Sequence, residues 1–342
     1  MEVNARLGRL RSALAAVEVS PDALLVTSMT NIRYLTGFTG SAGMLFLLPG
    51  ETVLLTDGRY GTQAAEQLTA AGVDARLEIA RAAEQADRAR QRSFAADWFS
   101  DVELVPTVGL IEELRQIKDA GEMARLAEAA RIADAALGVV RSQLASGPTE
   151  EEFGRTLDFE MRRLGASGPS FETIVASGPN AAKPHHRPGP RRIGAGETVV
   201  LDFGALFDGY CSDMTRTVWV GDVDEPDLRR AVDVVLASQA AGVAAVGPGV
   251  DCSAVDKVCR EVIADAGWAE YFVHGTGHGV GLDIHEAPSV AATSADTLQI
   301  GHVVTVEPGV YLPGLGGVRI EDTVVVTEDG CRSLTSTPKD TL

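Results

Sequence analysis

The sequence predicts an α/β (α+β) chain of two domains, a small mixed α/β domain over residues 1–116 and a larger strand-rich domain over residues 117–342. Three observations carry this expectation. The length of 342 residues exceeds one typical domain, and 45% hydrophobic content is enough to bury two cores. The first third alternates short apolar runs with helical stretches. From Ile117 a long amphipathic segment begins, followed by strand-like pieces that carry acids.

In chain order, DALLVT and NIRYLTGF are short apolar runs, and GMLFLLPGETVLLTDGRY reads as a hairpin turning at Pro49 and Gly50. IKDAGEMARLAEAARIADAALGVV has apolar residues at helical spacing with charges opposite, so a new domain starts there. Four further pieces look like strands: ETVVLDFG, YCSDMTRTVWV, HVVTVEPGVY and VRIEDTVVVT, the last two joined by the turn LPGLGG. They pair as two strand-turn-strand units, with Asp202 and Asp213 on the first and Glu307 and Glu321 on the second. This is a weak internal duplication, and two such halves facing each other bring four carboxylates together.

Composition excludes several function classes. A formal charge of -18 and no Lys/Arg-rich run argue against nucleic acid and anionic lipid as partners, because both need a positive surface. The N-terminus lacks the unbroken apolar core of a signal peptide, and nothing approaches a membrane span. Cys211, Cys252, Cys259 and Cys331 form no CxxC pair, which fits reduced, mostly buried thiols and a cytoplasmic protein.

An acid inside an apolar strand is expensive, since burying an unpaired carboxylate costs free energy or drives it neutral. Asp202 and Glu307 have no Lys or Arg beside them, and Glu321 has only Arg319, two residues back on the same strand face. Two divalent cations would balance the four charges. The Gly-rich stretch VHGTGHGVGLDIHEAP offers His274, His278 and His285 to complete the set, its glycines allowing close backbone approach. Carboxylate oxygens with one imidazole make a hard site that favours manganese, with cobalt or zinc able to substitute. A lone strand Asp or a lone His is more often structural than ligating, so it is the joint occurrence of five apt residues that points to metal.

LDFG, SDMTRT, HGTGHGVGLDIHE, VEPGVY and VRIEDT, in this order, resemble the motif series of the proline-specific peptidases of the pita-bread fold, the family of aminopeptidase P and prolidase. NIRYLTGFTGSAG and LLTDGRY resemble that branch's creatinase-like N-terminal domain. The resemblance implies that Asp202 chelates one metal, that His278 and Glu307 bind the other, and that Asp213 and Glu321 bridge the two. It gives Glu307 the proton-shuttle role and His285 a place beside the oxyanion. His274 is placed near the scissile bond, and Tyr311 and Arg319 behind the metal site. The nucleophile expected is a metal-bridging hydroxide.

PSFETIVASGPNAAKPHH resembles the proline-binding region, with Phe171 as an apolar wall and His185 beside the ring. Some relatives carry a basic residue after the HExP motif, where this chain has Ser289, so Arg33 becomes a candidate clamp for a substrate carboxylate. The expected activity is hydrolysis of the Xaa-Pro bond in peptides with proline second, as aminopeptidase P or as Xaa-Pro dipeptidase, by a homodimer. The competing expectations are a catalytically silent pita-bread module that binds peptides or proteins, and another exopeptidase specificity on the same fold.

Overall fold

The computed structural model describes residues 3–17, 21–80, 107, 109–222 and 224–339. The chain divides into two units, Met1–Arg115 and Gln116–Leu342. No helix among the described residues is long and apolar enough to cross a membrane.

The N-terminal unit holds α1 (Val3–Ala15), β1 (Leu24–Val26), α2 (Met29–Thr36), β2 (Met44–Leu48), β3 (Glu51–Asp57), α3 (Gly61–Ala71) and β4 (Arg76–Ala80). Its sheet has the order β1-β2-β3-β4, with β3 and β4 parallel. The β2–β3 hairpin turns at Pro49 and Gly50 as expected, with Leu48 opposite Glu51 and Gly50 at φ 76°. The apolar run NIRYLT is helical: Ser28 caps the Asn31 N–H, and Gly37 ends the helix in the left-handed conformation. Its apolar side chains follow helical spacing, burying Ile32, Tyr34 and Leu35. The helix α4 (Leu110–Gln116) spans the boundary between the units.

The C-terminal unit opens with α5 (Ala120–Val140) and α6 (Glu150–Arg163), both begun by capping boxes, Asp119 with Glu122 and Thr149 with Glu152. Next come β5 (Gly168–Pro169), β6 (Ile174–Ser177), β7 (Glu197–Phe203), β8 (Ala205–Phe207), β9 (Tyr210–Cys211) and β10 (Met214–Val220). After α7 (Pro226–Ala245) and α8 (Cys252–Asp265) lie β11 (Gly277–Gly279), β12 (Glu286–Val290), β13 (Val303–Val306), β14 (Gly309–Leu312), β15 (Gly316–Arg319), β16 (Asp322–Thr327) and β17 (Gly330–Ser333).

Three of the four expected pieces are broken in two, while ETVVLDFG stays one strand as β7. β7 pairs antiparallel with β10 while β8 and β9 form a short inner hairpin, and β13 pairs antiparallel with β16 around the inner hairpin β14–β15. Pro308, which lacks an N–H for the ladder, separates β13 from β14. Each half has its own cover. Leu137, Phe153, Leu157 and Met161 of α5 and α6 pack with Val199, Leu201 and Phe203, whereas Val232, Val235, Val255 and Ile263 of α7 and α8 pack with Val304, Val306 and Val324. Each such fully buried aliphatic side chain contributes about 1.5–3 kcal/mol. Cys211, Cys252 and Cys259 are buried free thiols, and Cys331 is half-buried.

Candidate metal centre

Asp202, Asp213, His278, Glu307 and Glu321 all line one cleft of about 540 Å³ in the C-terminal unit. Of the four acids, only Asp202 sits within a strand. Asp213 precedes β10, Glu307 follows β13 and Glu321 precedes β16, which corrects the mid-strand placement expected for the acids. At a strand end the chain leaves the ladder, so side chains from both halves can turn toward one point. The halves meet there: the Glu321 N–H donates to the Thr215 carbonyl, and the Thr217 hydroxyl donates to the Arg319 carbonyl.

Asp213, His278 and Glu321 each offer a ligand atom within 4.8 Å of the others. His278 Nε2 lies 3.3 Å from Glu307 Oε1 and 3.5 Å from Asp213 Oδ2. Its Nδ1 is 3.0 Å from the Gly279 carbonyl, which can only accept, so Nδ1 carries a proton and Nε2 faces the carboxylates. Close approach of the backbone delivers this ring. A Cβ on Gly277 would lie 2.0 Å from the Thr305 carbonyl oxygen, so β11 could not reach β13 with any larger residue there.

The acids differ in compensation. Arg319 does not serve Glu321, as its place two residues earlier suggested. The chain turns between β15 and β16, and the guanidinium instead donates to Asp202 Oδ2 at 2.6 Å, to Tyr311 Oη at 2.8 Å and to Thr215 Oγ1 at 3.1 Å. Burial raises the Asp202 carboxyl even so. Burial, followed by the charge of Glu321, pushes Asp213 well above the usual range, and burial with the charge of Glu307 does the same to Glu321. Burial also acts on Glu307, but the His278 ring outweighs it and holds that carboxyl at about 2. Glu321 Oε2 accepts from Thr215 Oγ1 at 2.7 Å, whereas Glu321 Oε1 is buried with no hydrogen-bond partner. A buried orphan oxygen among unneutralised acids fits a cation, and the hard oxygen-rich donor set with one imidazole fits a divalent one.

The three expected catalytic side chains gather here as well. The His285 ring stands edge-on to His278 at 4.3 Å between centroids, and burial lowers its pKa. His274 Nδ1 donates to the Gly275 carbonyl at 2.8 Å, so its Nε2 accepts from Tyr311 Oη at 2.7 Å. Burial lowers its pKa and raises that of Tyr311 to about 12. Phe171, half-buried, and His185, exposed, line the same cleft. Arg33 lies on α2 of the N-terminal unit and is not among the residues lining the cleft.

Sequence reasoning passed over two threonines. Thr215 serves Glu321 and Arg319, and Thr305 Oγ1 donates to Glu307 Oε1 at 3.0 Å while accepting from the His278 N–H. A signal was present: each threonine stands two residues from an acid, in DMT and TVE. Glu150 was also missed. Fully buried at the start of α6, it accepts from Ser177, Asn180, His186 and the Gly189 N–H, and so holds the segment that carries His185.

Two protein-family models match the chain. Residues 124–328 match the model of metallopeptidase family M24, and residues 6–117 match the creatinase/prolidase N-terminal domain. An Xaa-Pro dipeptidase of Pyrococcus furiosus is 42% identical over 233 residues, covering 68% of this chain and 67% of that protein. The structure of an Xaa-Pro dipeptidase from Bacillus anthracis superposes with a TM-score of 0.91 at 39% identity, over 99% of this chain and 100% of that one. An X-Pro aminopeptidase from Thermotoga maritima gives a TM-score of 0.85 at 29% identity, over 96% and 99%. The halves that converge on the cleft thus coincide with the catalytic match, and the chain belongs to metallopeptidase family M24, with a creatinase/prolidase N-terminal domain before it.

Proposed function

We propose that this protein is a two-metal exopeptidase that hydrolyses the bond between an N-terminal residue and a following proline. The observation that carries the reading is the meeting of four carboxylates and one imidazole in one cleft, with Glu321 Oε1 left without a hydrogen-bond partner. In this reading residues 117–342 are the catalytic domain and residues 1–116 the N-terminal domain. Asp202 would hold one cation, His278 and Glu307 would hold the other, and Asp213 and Glu321 would be shared by the two. Two divalent cations bound there supply Lewis-acid polarisation of the scissile carbonyl and lower the pKa of water toward neutrality. Manganese is the ion we propose, with cobalt or zinc as substitutes.

The chain's own groups do the rest. Glu307 is held ionised, so it takes the proton of the attacking water and returns it to the proline nitrogen as that leaves. His285 donates to the developing oxyanion, a contact stronger in the transition state than in the ground state. His274 meets the substrate beside the scissile bond by releasing its Tyr311 hydrogen bond. Tyr311 and Arg319 keep Asp202 oriented. Phe171 walls the proline ring with His185 beside it. The scissile nitrogen of an Xaa-Pro bond has no hydrogen, so ring contacts must do the work an N–H contact does elsewhere. A cytoplasmic homodimer acting on peptides, away from nucleic acid and membrane, is the setting we propose, and the charge of -18 supports its separation from nucleic acid and anionic lipid.

Protein stripped with chelator and resupplied with manganese is expected to release product from an Xaa-Pro dipeptide, from an Xaa-Pro-Yaa peptide, or from both. Hydrolysis of neither, with metal supplied, would overturn the reading in favour of a silent peptide-binding protein.

A further inference from the structure

The cleft also bears on how the far end of the substrate is recognised, an inference that rests on the peptidase reading. Its floor is closed by Asp213, Glu321 and Arg319, all 5% exposed or less. Its rim includes exposed Glu172, His185 and Arg187. Any residue beyond the proline must leave through the open side, so the carbonyl end of the proline points toward that rim.

Two arginines among the described residues line the cleft, and they are in opposite situations. Arg319 is committed, with its guanidinium donating to Asp202, Tyr311, Thr215 and the Pro184 carbonyl. The Arg187 side chain is 83% exposed and its Nε lies 3.5 Å from Glu172 Oε2, whose own side chain is 68% exposed. An ion pair between two exposed groups is worth little and exchanges readily for a better partner. A free carboxylate can offer two parallel hydrogen bonds to the guanidinium fork, a geometry a lysine cannot match. Ser289 also lines the cleft and brings no charge to compete for that role.

We propose that Arg187 is a specificity-determining residue that binds the free carboxylate of a C-terminal proline, exchanging Glu172 for the substrate and favouring Xaa-Pro dipeptides over longer peptides. The test compares Ala-Pro with alanyl-prolinamide, which lacks the negative charge, on the manganese-loaded full chain. Arg187→Ala is expected to raise KM for Ala-Pro about tenfold with kcat within about twofold, and to leave KM for the amide within about twofold. Arg187→Lys is expected to recover only part of the loss. Equal KM changes for both substrates, no change for either, or a selective rise in Arg33→Ala but not in Arg187→Ala would overturn the assignment. Continued hydrolysis of the amide in any of those cases leaves the peptidase reading standing. Cleavage of neither substrate by the unmodified chain removes both.

Discussion

The two halves of the C-terminal unit share a strand plan and differ in what lies beside it. In the first, β7 and β10 enclose the hairpin β8–β9, and the neighbouring strand β6 places Ile174 opposite Asp202 on the cleft wall. In the second, β13 and β16 enclose β14–β15, and the neighbouring strand β11 brings His278. Each half supplies two acids. The outer acid of each pair has a cationic or imidazole partner, Arg319 for Asp202 and His278 for Glu307. The inner ones, Asp213 and Glu321, are the pair that burial and the charge of neighbouring carboxylates push furthest from their ionised form. A duplicated scaffold places like charges together, and the unlike additions at its edges give the first half an apolar wall and the second an imidazole.

The largest expected effects break the symmetry at the inner acids. Asp213→Asn and Glu321→Gln should each lower kcat/KM by more than about a thousandfold, since even removing a partner behind a ligand costs about 10–100-fold. Metal analysis should show fewer than two ions per chain in both variants. Full activity in either would end the two-metal reading.

Smaller effects should come from the threonines behind the ligands, and these sharpen the comparison. Thr215→Val removes a hydroxyl that serves both Glu321 and Arg319, whereas Thr305→Val removes one that serves Glu307 and the His278 backbone. Activity losses of about 10–100-fold are expected, with Thr215→Val the greater because its hydroxyl joins the halves. A larger loss in Thr305→Val would place the weaker support in the first half.

The last effect is one of stability rather than activity, confined to the second half. His302, 2% exposed at the entrance to β13, accepts from the Gln299 N–H on Nδ1, and burial with the charge of Lys118 pushes its pKa down to about 4. The folded state therefore binds fewer protons than the unfolded state between about pH 6.5 and 4, so this contribution is present above pH 6.5 and lost as pH falls toward 4. Replacement by Gln should remove acid sensitivity on the order of 3 kcal/mol across that window. Denaturant melts of both proteins at pH 7 and pH 4 read this directly, and an unchanged difference between the two pH values would count against it.

Much of this was legible in the chain. Asp202, Asp213, Glu307 and Glu321 stand out because acids among Val and Leu conflict with their surroundings, and such conflicts between local pattern and burial mark functional sites. The helix α5 was legible from its spacing, and the β2–β3 turn from Pro49-Gly50. The helical state of NIRYLT was not, since a short apolar run fits strand and helix alike until its caps are seen. Nor could sequence show that Arg319 serves Asp202, 117 residues away, because an i,i+2 rule holds only while the strand continues.

By itself the sequence determined the residue types of the site, its hard-ligand chemistry, the repeat of two acid-bearing units and the resemblance to the proline-specific peptidases. Those are properties of composition, order and local spacing. Tertiary structure alone decided which acid meets Arg319, which oxygen is left bare on Glu321, and that Arg187 rather than Arg319 keeps an exchangeable charge at the rim. Partnership across more than a hundred residues depends on where strands end and which way the chain turns, and no local pattern encodes that.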